Sequence, residues 1–229
     1  MNRPYVFINL AVTADGKIDT FERKGAAISS KRDKERVDHL RAGADAVMVG
    51  GKTLLQEGPA LTVKSEALRA ERVSRGLPPN PAKVGIVTRA SLDAQGDFLN
   101  AGPARIVIFT TSQTSEAELA ALRSRGVEVF VLGDKNVDLK GALETLHASG
   151  VERMMVEGGA ALNFEFLRLG LVDELLMYVA PLVFGGESAP TPASGAGLAR
   201  DQAIPLELVQ VEQWEEGGVL LRYRLNAAG

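Results

Sequence analysis

The chain has 229 residues, of which 45% are hydrophobic and 24% charged, and its formal net charge is −3. This composition is typical of a globular protein, and the small negative charge gives no global positive field that would attract nucleic acid. The sequence contains no cysteine, which excludes disulfides, thiolate metal ligands and a cysteine nucleophile. No apolar stretch has the length of a membrane span or the flanks of a signal peptide, so we expect a cytoplasmic protein with no membrane partner.

The first third of the chain predicts a strand, a helix and a second strand. Residues 5–10 are β-branched and aromatic, as in a buried strand. Ser30 and Asp33 have the spacing of a capping box, which predicts the start of a helix. Residues 46–49 form a short apolar run that ends at Gly50, which predicts a second buried strand.

The middle of the chain predicts a surface excursion and then a regular alternation of strands and helices. Residues 64–82 are polar and rich in proline, with a short helix expected at 66–74. Strands are predicted at 84–87, 105–109, 127–131 and 154–156. Helices are predicted to begin at the capping box of Ser115 and Glu118, near Leu139, and near Leu162. Such alternation is typical of parallel βαβ units.

The last part of the chain predicts strands at 175–184, 207–214 and 219–224 with no helices between them. Gly217 and Gly218 provide a hairpin turn between the last two. We therefore predict an α/β fold with a mostly parallel central sheet and antiparallel C-terminal strands. No repeat or linker interrupts the pattern, which favours a single domain over residues 1–229.

A first candidate site lies where the strand at 154–156 stops at Gly158 and Gly159 and a helix begins. Glycine lets a ligand approach the backbone, and the free amides of a helix start attract anions such as a pyrophosphate. The same pattern also fits a tight turn in which glycine only relieves steric crowding. The local sequence leaves both interpretations open.

A second candidate site is the segment from Gly50 to Thr53. It ends in Gly-Lys-Thr, but Ala46 stands where a phosphate-binding loop needs its first glycine, so we exclude a nucleotide triphosphatase. Thr53 has a hydroxyl that would serve either a ligand or a helix cap. No Gly-x-Gly-x-x-Gly follows a strand, so the usual Rossmann fingerprint is missing.

The remaining ionisable residues have simpler explanations. His39 and His147 lie on predicted helices without a partner at ligand spacing, which favours solvated side chains and no metal site. Asp15 and Asp19 are interpreted as turn formers. Arg41 ends a helix, where a cation complements the helix dipole.

Several short motifs, taken in order, carry a family resemblance. They are NLAVTADGKI at 9–18, ISS at 28–30, LRA at 40–42, DAVMVG at 45–50, Thr53, GPALTV at 58–63, VEGG at 156–159 and VAPLVFGG at 179–186. In this order and spacing they resemble the reductase domain of the riboflavin biosynthesis deaminase–reductase family. The resemblance covers nearly the whole chain.

The resemblance implies a dihydrofolate-reductase-like three-layer fold, a homodimer, and NADPH as cofactor. The implied reaction reduces a ribosylamino group, through its ring-opened imine, to a ribitylamino group on a phosphorylated pyrimidine. The implied cofactor contacts are Gly50, Thr53, Glu57, Thr88, Gly158, Gly159, Ala160 and Ala161. The implied substrate contacts are Asn9, Arg41, Leu61, Lys64 and Glu157. Arg89, beside Thr88, is our own candidate for the 2′-phosphate of NADPH, and no catalytic acid is identified.

Three departures from the family pattern concern the substrate. The family commonly has Asp at the position of Glu57 and Arg at that of Lys64, and bacterial bifunctional members carry an aromatic residue at that of Ala27. Lysine lacks the bidentate fork of arginine. The sequence has no His-x-Glu and no Cys-x-x-Cys of a zinc deaminase, which predicts a stand-alone reductase.

Two other functions remain open. A paralogous NADPH reductase of the same fold would act on another pterin-like or carbonyl substrate, and a nucleotide-binding protein would keep the scaffold without catalysis. The sequence also does not decide between the deaminated and the non-deaminated pyrimidine.

Overall fold

The computed structural model describes residues 2–225. Its strands are β1 (Tyr5–Thr13), β2 (Ala46–Gly50), β3 (Ala82–Ile86), β4 (Ile106–Thr110), β5 (Glu128–Val131), β6 (Arg153–Val156), β7 (Glu174–Ala180), β8 (Leu206–Gln213) and β9 (Val219–Leu225). Its helices are α1 (Lys31–Ala42), α2 (Glu66–Ser74), α3 (Asp97–Asn100), α4 (Glu116–Arg123), α5 (Leu139–Ala148) and α6 (Ala160–Arg168). A π-helical turn covers Thr53–Glu57, and a 3-10 turn covers Arg200–Gln202.

The chain divides into two compact units. Among the described residues, the first unit comprises 2–5 and Val37–Met155, and the second comprises Val6–Arg36 and 156–225. The expectation of a single domain stays a prediction. Over residues 2–225, no helix combines the length and the apolar character needed to cross a membrane.

The first unit is built on a parallel sheet. Its strands lie in the order β5-β4-β3-β2-β6, and β2, β3, β4 and β5 are mutually parallel neighbours. Many apolar side chains of the inner strands β2, β3, β4 and β6 are completely buried, as expected for strands covered on both faces. They include Val47, Met48, Val84, Val107 and Ile108. The βαβ interpretation of the middle of the chain is therefore confirmed.

The second unit contains the antiparallel end of the sheet. Its strands lie in the order β1-β7-β9-β8, with β1 parallel to β7 and the other pairs antiparallel. Gly217 has a φ of 86° in the turn between β8 and β9, which confirms the predicted hairpin. Tyr178 and Trp214 stack with ring centroids 5.0 Å apart in the core of this unit.

Local helix signals were accurate. The short helix predicted at 66–74 is α2, with Ser65 as its N-cap. Ser115 and Glu118 form both bonds of a capping box at the start of α4. At α1 only one bond forms: the Asp33 amide donates to Ser30 Oγ at 3.2 Å, while the Asp33 carboxylate accepts from Arg36 instead.

Some boundaries differ from prediction. The strand predicted at 175–184 ends at Ala180, because Pro181 cannot donate a ladder hydrogen bond. The π-helical turn Thr53–Glu57 and the short helix α3 were not predicted, since segments of four or five residues carry too little periodicity to detect.

Strand β8 lies at the edge of the sheet and is unusually exposed. Leu206, Leu208, Val209 and Val211 are 42%, 52%, 39% and 54% exposed. An exposed apolar edge strand is a ready surface for association.

Candidate functional site

The first group of candidate residues follows β2 in the first unit. Gly50 ends the strand, and Gly51 adopts a φ of 57°, a left-handed conformation that favours glycine. Thr53 begins the π-helical turn, yet no side chain caps this turn. The cap interpretation of Thr53 is therefore wrong, and its half-buried hydroxyl makes no hydrogen bond within residues 2–225.

The second group follows β3. Gly50 is paired with Ile86, so the ends of these parallel strands open at the same edge of the first unit. Thr88 and Arg89 are exposed there. The Thr88 carbonyl is fixed, since it accepts from Thr111 Oγ1 at 2.7 Å.

Arg89 is already engaged in an ion pair. Its Nε lies 3.2 Å from Glu118 Oε1. Hydrogen bonds from Ser115 and the nearby Arg89 charge lower the pKa of Glu118, so this carboxylate stays ionised. A phosphate at Arg89 would share the guanidinium with Glu118.

A small cavity of about 100 Å³ lies in the first unit beside the π-helical turn. Its walls are Leu54, Leu55, Gln56, Glu57, Gly58, Leu92, Asp93, Gly96 and Phe98. Gly85 lies beneath this region, where an added Cβ would collide with Leu54 and Ile108 side chains. The cavity brings Glu57, a predicted cofactor contact, next to the segment that follows Thr88 and Arg89.

Buried Lys83 holds one wall of this cavity. It is completely buried, and its Nζ donates to the carbonyls of Asp97, Phe98 and Ala101 at 3.3, 3.0 and 2.6 Å. Burial lowers its pKa to about 8. The ammonium group of Lys83 thus donates to two carbonyls of α3 and to the carbonyl of the residue that follows this helix. These hydrogen bonds fix the position of Phe98.

The third group is the segment 61–65, which α1 and α2 hold. Asp38 accepts from the amides of Lys64 and Ser65 at 2.6 and 2.7 Å. Arg41 Nη1 donates to the Thr62 carbonyl at 3.1 Å. Arg69 Nη1 donates to the Lys64 carbonyl at 2.7 Å. The backbone polar groups of this segment are therefore used inside the protein.

Two predicted substrate residues in this segment have different exposure. Leu61 is only 1% exposed and has a φ of 50°, a strained conformation for a branched side chain. Lys64 is exposed. Lys64 belongs to the segment 61–65, and Arg41 at the end of α1 is hydrogen-bonded to the same segment through the Thr62 carbonyl.

In the second unit, the chain leaves β6 through Glu157 and turns at Gly158. Gly158 has a φ of 102°, so a side chain here would be strained. Gly159 is the N-cap of α6 and has no side chain to cap the amides that begin this helix. Ala160 and Ala161 are its first residues, and their small side chains leave the helix start open.

Asn9 lies on β1 and is 7% exposed. Arg36 Nη2 donates to Asn9 Oδ1 at 2.7 Å. Arg36 also donates to Asp33, whose carboxylate lies 2.8 Å away.

The turn-former interpretation of Asp15 and Asp19 is confirmed. Asp15 accepts from Thr13 Oγ1 and from the Gly185 amide, and this Thr13 hydrogen bond lowers its pKa. Asp19 accepts from the amides of Gly25 and Ala26. Both carboxylates are thus occupied by the loops they organise.

Several residues at these sites were missed from sequence. Lys83 was overlooked because a lysine usually indicates a solvent-exposed position. Asp38 was overlooked because its hydrogen-bond partners lie 26 and 27 residues away in the sequence. Only Asp33 and Arg36 left a signal, the i, i+3 spacing of an ion pair. In the part of the chain that the structure describes, no cluster of three His, Cys, Asp or Glu residues is arranged to hold a metal.

The comparison with known protein families matches residues 4–220 to the RibD C-terminal domain. The chain belongs to the RibD C-terminal domain family. A relative from Archaeoglobus fulgidus, named 2,5-diamino-6-ribosylamino-4(3H)-pyrimidinone 5′-phosphate reductase, is 40% identical over 86% of this chain and 90% of its own. A relative of the same name from Methanothermobacter thermautotrophicus is 41% identical over 90% of this chain and 91% of its own.

Solved structures share the fold of this RibD C-terminal domain protein. A pyrimidine reductase-like protein from Corynebacterium diphtheriae superposes with a TM-score of 0.83, at 22% identity, over 98% of this chain and 93% of its own. RibD from Acinetobacter baumannii gives a TM-score of 0.80 at 25% identity, over 99% of this chain and 59% of its own.

Proposed function

We propose that this RibD C-terminal domain protein is a reductase of riboflavin biosynthesis. It reduces the ribosylamino group of 2,5-diamino-6-ribosylamino-4(3H)-pyrimidinone 5′-phosphate to a ribitylamino group with NADPH. The carrying observation is the match to two relatives that bear the name of this reductase, at 40% identity over 86% of this chain and at 41% identity over 90% of it. Their shared name favours the non-deaminated pyrimidine over the deaminated one.

The residues present fit a dinucleotide cofactor. The uncapped helix start at Gly159 and Ala160 supplies amides for a phosphate, and Gly158 lets it approach the backbone. In the first unit, the uncommitted Thr53 hydroxyl and the exposed side chains of Thr88 and Arg89 are further contacts. NADPH, when bound, supplies the hydride.

The protein's own contribution is to bind and orient the pyrimidine phosphate. Arg41 and Lys64 are cations for the 5′-phosphate, where charge-assisted hydrogen bonds are strong. Half-buried Glu157 accepts hydrogen bonds from ribose hydroxyls or pyrimidine amino groups.

We further propose a homodimer in the cytoplasm, with β8 as the dimer surface. Its four exposed apolar side chains support association with a second copy. Both units together serve as one reductase domain, in agreement with a family match that runs through both.

The decisive experiment follows NADPH oxidation by the purified protein. We expect turnover with the non-deaminated pyrimidine phosphate and a lower kcat/KM with the deaminated one. Dihydrofolate and a protein-free mixture are the controls. Turnover only with a pterin or another carbonyl compound would support the paralogous reductase, and NADPH binding without turnover would support a non-catalytic protein.

A further inference from the structure

Three side chains of the second unit form a buried chain of hydrogen bonds. Arg36 Nη2 donates to Asn9 Oδ1 at 2.7 Å, and Arg36 Nε and Nη2 donate to Asp33 Oδ1 at 3.0 and 2.8 Å. The Asp33 side chain is 1% exposed and the Arg36 side chain 15%. The Asp33 carboxylate thus fixes the Arg36 guanidinium, and this guanidinium fixes the Asn9 side-chain amide.

The chemistry of arginine fixes which way the Asn9 amide faces. A guanidinium carries only donors, so the amide atom that faces Arg36 must be the oxygen. The Asn9 amide nitrogen therefore lies on the opposite side of the group. A residue able to accept as well as donate would not impose this orientation.

The Asn9 amide nitrogen meets no protein acceptor within residues 2–225. Within that range, the enclosed side-chain atoms that lack a hydrogen-bond partner are Asp33 Oδ2, His147 Nδ1 and Asn163 Oδ1. The Asn9 amide nitrogen is not among them, so it keeps access to solvent. Asn9 as a whole is only 7% exposed. Polar groups at this depth normally have a partner. A locked amide with an open donor is thus arranged for an acceptor from outside the chain.

We propose that Asp33 and Arg36 are positioning residues that lock Asn9 as a hydrogen-bond donor to the substrate. The partner is an acceptor atom of the pyrimidine ribonucleotide, an oxygen or a ring nitrogen. The inference rests on the proposed function for the identity of the ligand. Pre-orientation of the donor lowers the entropy cost of binding.

The replacement Asn9→Asp separates donation from packing. Aspartate has nearly the same shape and still accepts from Arg36, but it offers an acceptor where asparagine offers a donor. We expect kcat/KM for the pyrimidine phosphate to fall about 10- to 100-fold, with an unchanged affinity for NADPH as the check that the variant is folded. An Asn9→Asp protein as active as wild type overturns the proposal, since a purely structural Asn9 predicts that result.

A double-mutant cycle tests whether Arg36 acts through Asn9. Arg36→Met should lower kcat/KM in the wild-type background but have no further effect on an Asn9→Ala protein. Arg32→Met, one turn earlier on α1, is the matched control and should retain wild-type kcat/KM. Equal losses from Arg36→Met in both backgrounds would show that Arg36 does not act through Asn9.

The outcome is distinguishable from failure of the proposed function. A wild-type protein that turns over neither pyrimidine phosphate overturns both proposals. An active wild type with an equally active Asn9→Asp variant overturns the positioning role alone.

Discussion

Lys64 presents a flexible cationic side chain from a backbone that is hydrogen-bonded on both sides. Asp38 and Arg69 bind the amide and the carbonyl of this residue, so only its side chain is available to a ligand. The ammonium group is a point charge that tolerates some variation in the position of its partner, whereas arginine demands a bidentate geometry. Lysine at this position therefore suits phosphate attraction more than exact orientation.

We expect Lys64→Ala to raise the KM for the phosphorylated substrate about tenfold while kcat stays nearly constant, because a charge-assisted hydrogen bond is lost on binding. Steady-state kinetics with the phosphorylated substrate and its dephosphorylated form measures the effect. The dephosphorylated form should show no difference between the two proteins.

Lys135→Ala removes another exposed lysine of the first unit and is the matched control. If Lys64→Ala and Lys135→Ala have the same KM, the role of Lys64 in phosphate binding is wrong.

At the residue scale, sequence alone identified the glycines that follow or end buried strands. It did not identify the polar side chains that fix the neighbouring segments. Gly50, Gly158 and Gly159 were visible because glycine at the end of an apolar run is a strong signal. Asp38 and Lys83 were not visible, because their roles depend on partners brought close only by the fold. For Thr53 the sequence left two roles open, a ligand contact and a helix cap, and the structure excludes the cap.

At the scale of elements, β3 and the short helix α3 depend on each other. A helix of four residues has too few internal hydrogen bonds to be stable alone. Lys83 supplies donors for three carbonyls of α3 and the residue that follows it. A residue of a distant strand therefore satisfies the carbonyls at the end of this helix, a contact that the local sequence does not reveal.

Lys83 also makes stability depend on pH in a specific direction. Burial lowers its pKa from 10.5 to about 8, so between these values the unfolded chain binds a proton that the folded chain has released. The free energy of unfolding should therefore rise with pH across this window, by about 3 kcal/mol at most.

The measurement is denaturant unfolding of wild type and Lys83→Met between pH 7 and 10.5. Methionine does not titrate, so the difference between the two proteins isolates Lys83. The prediction is that this difference changes in favour of wild type as pH rises. A constant difference would mean that Lys83 keeps its ordinary pKa.

At the scale of the whole molecule, the exposed strand β8 predicts a dimer. Association would remove its apolar side chains from water, which is favourable. A charged side chain at the same position would be buried at a cost in free energy. We expect Val211→Lys to convert the protein to a monomer, as measured by sedimentation or light scattering.

Val73→Lys is the control, since Val73 is 56% exposed and lies on the helix α2 of the first unit. It should leave the oligomeric state unchanged. A wild-type protein that is monomeric at every concentration would remove β8 as a dimer surface.

The second unit is interrupted by the first along the chain. The Val6 amide donates to Asp173, 167 residues later, where β7 begins to pair with β1. A ribosome therefore releases the apolar strand β1 long before its neighbour exists, while most of the first unit emerges as one continuous stretch. Such distant pairing slows folding. Newly made β1 therefore stays without this partner until β7 has been synthesised, and its apolar side chains are open to non-native contacts in the meantime.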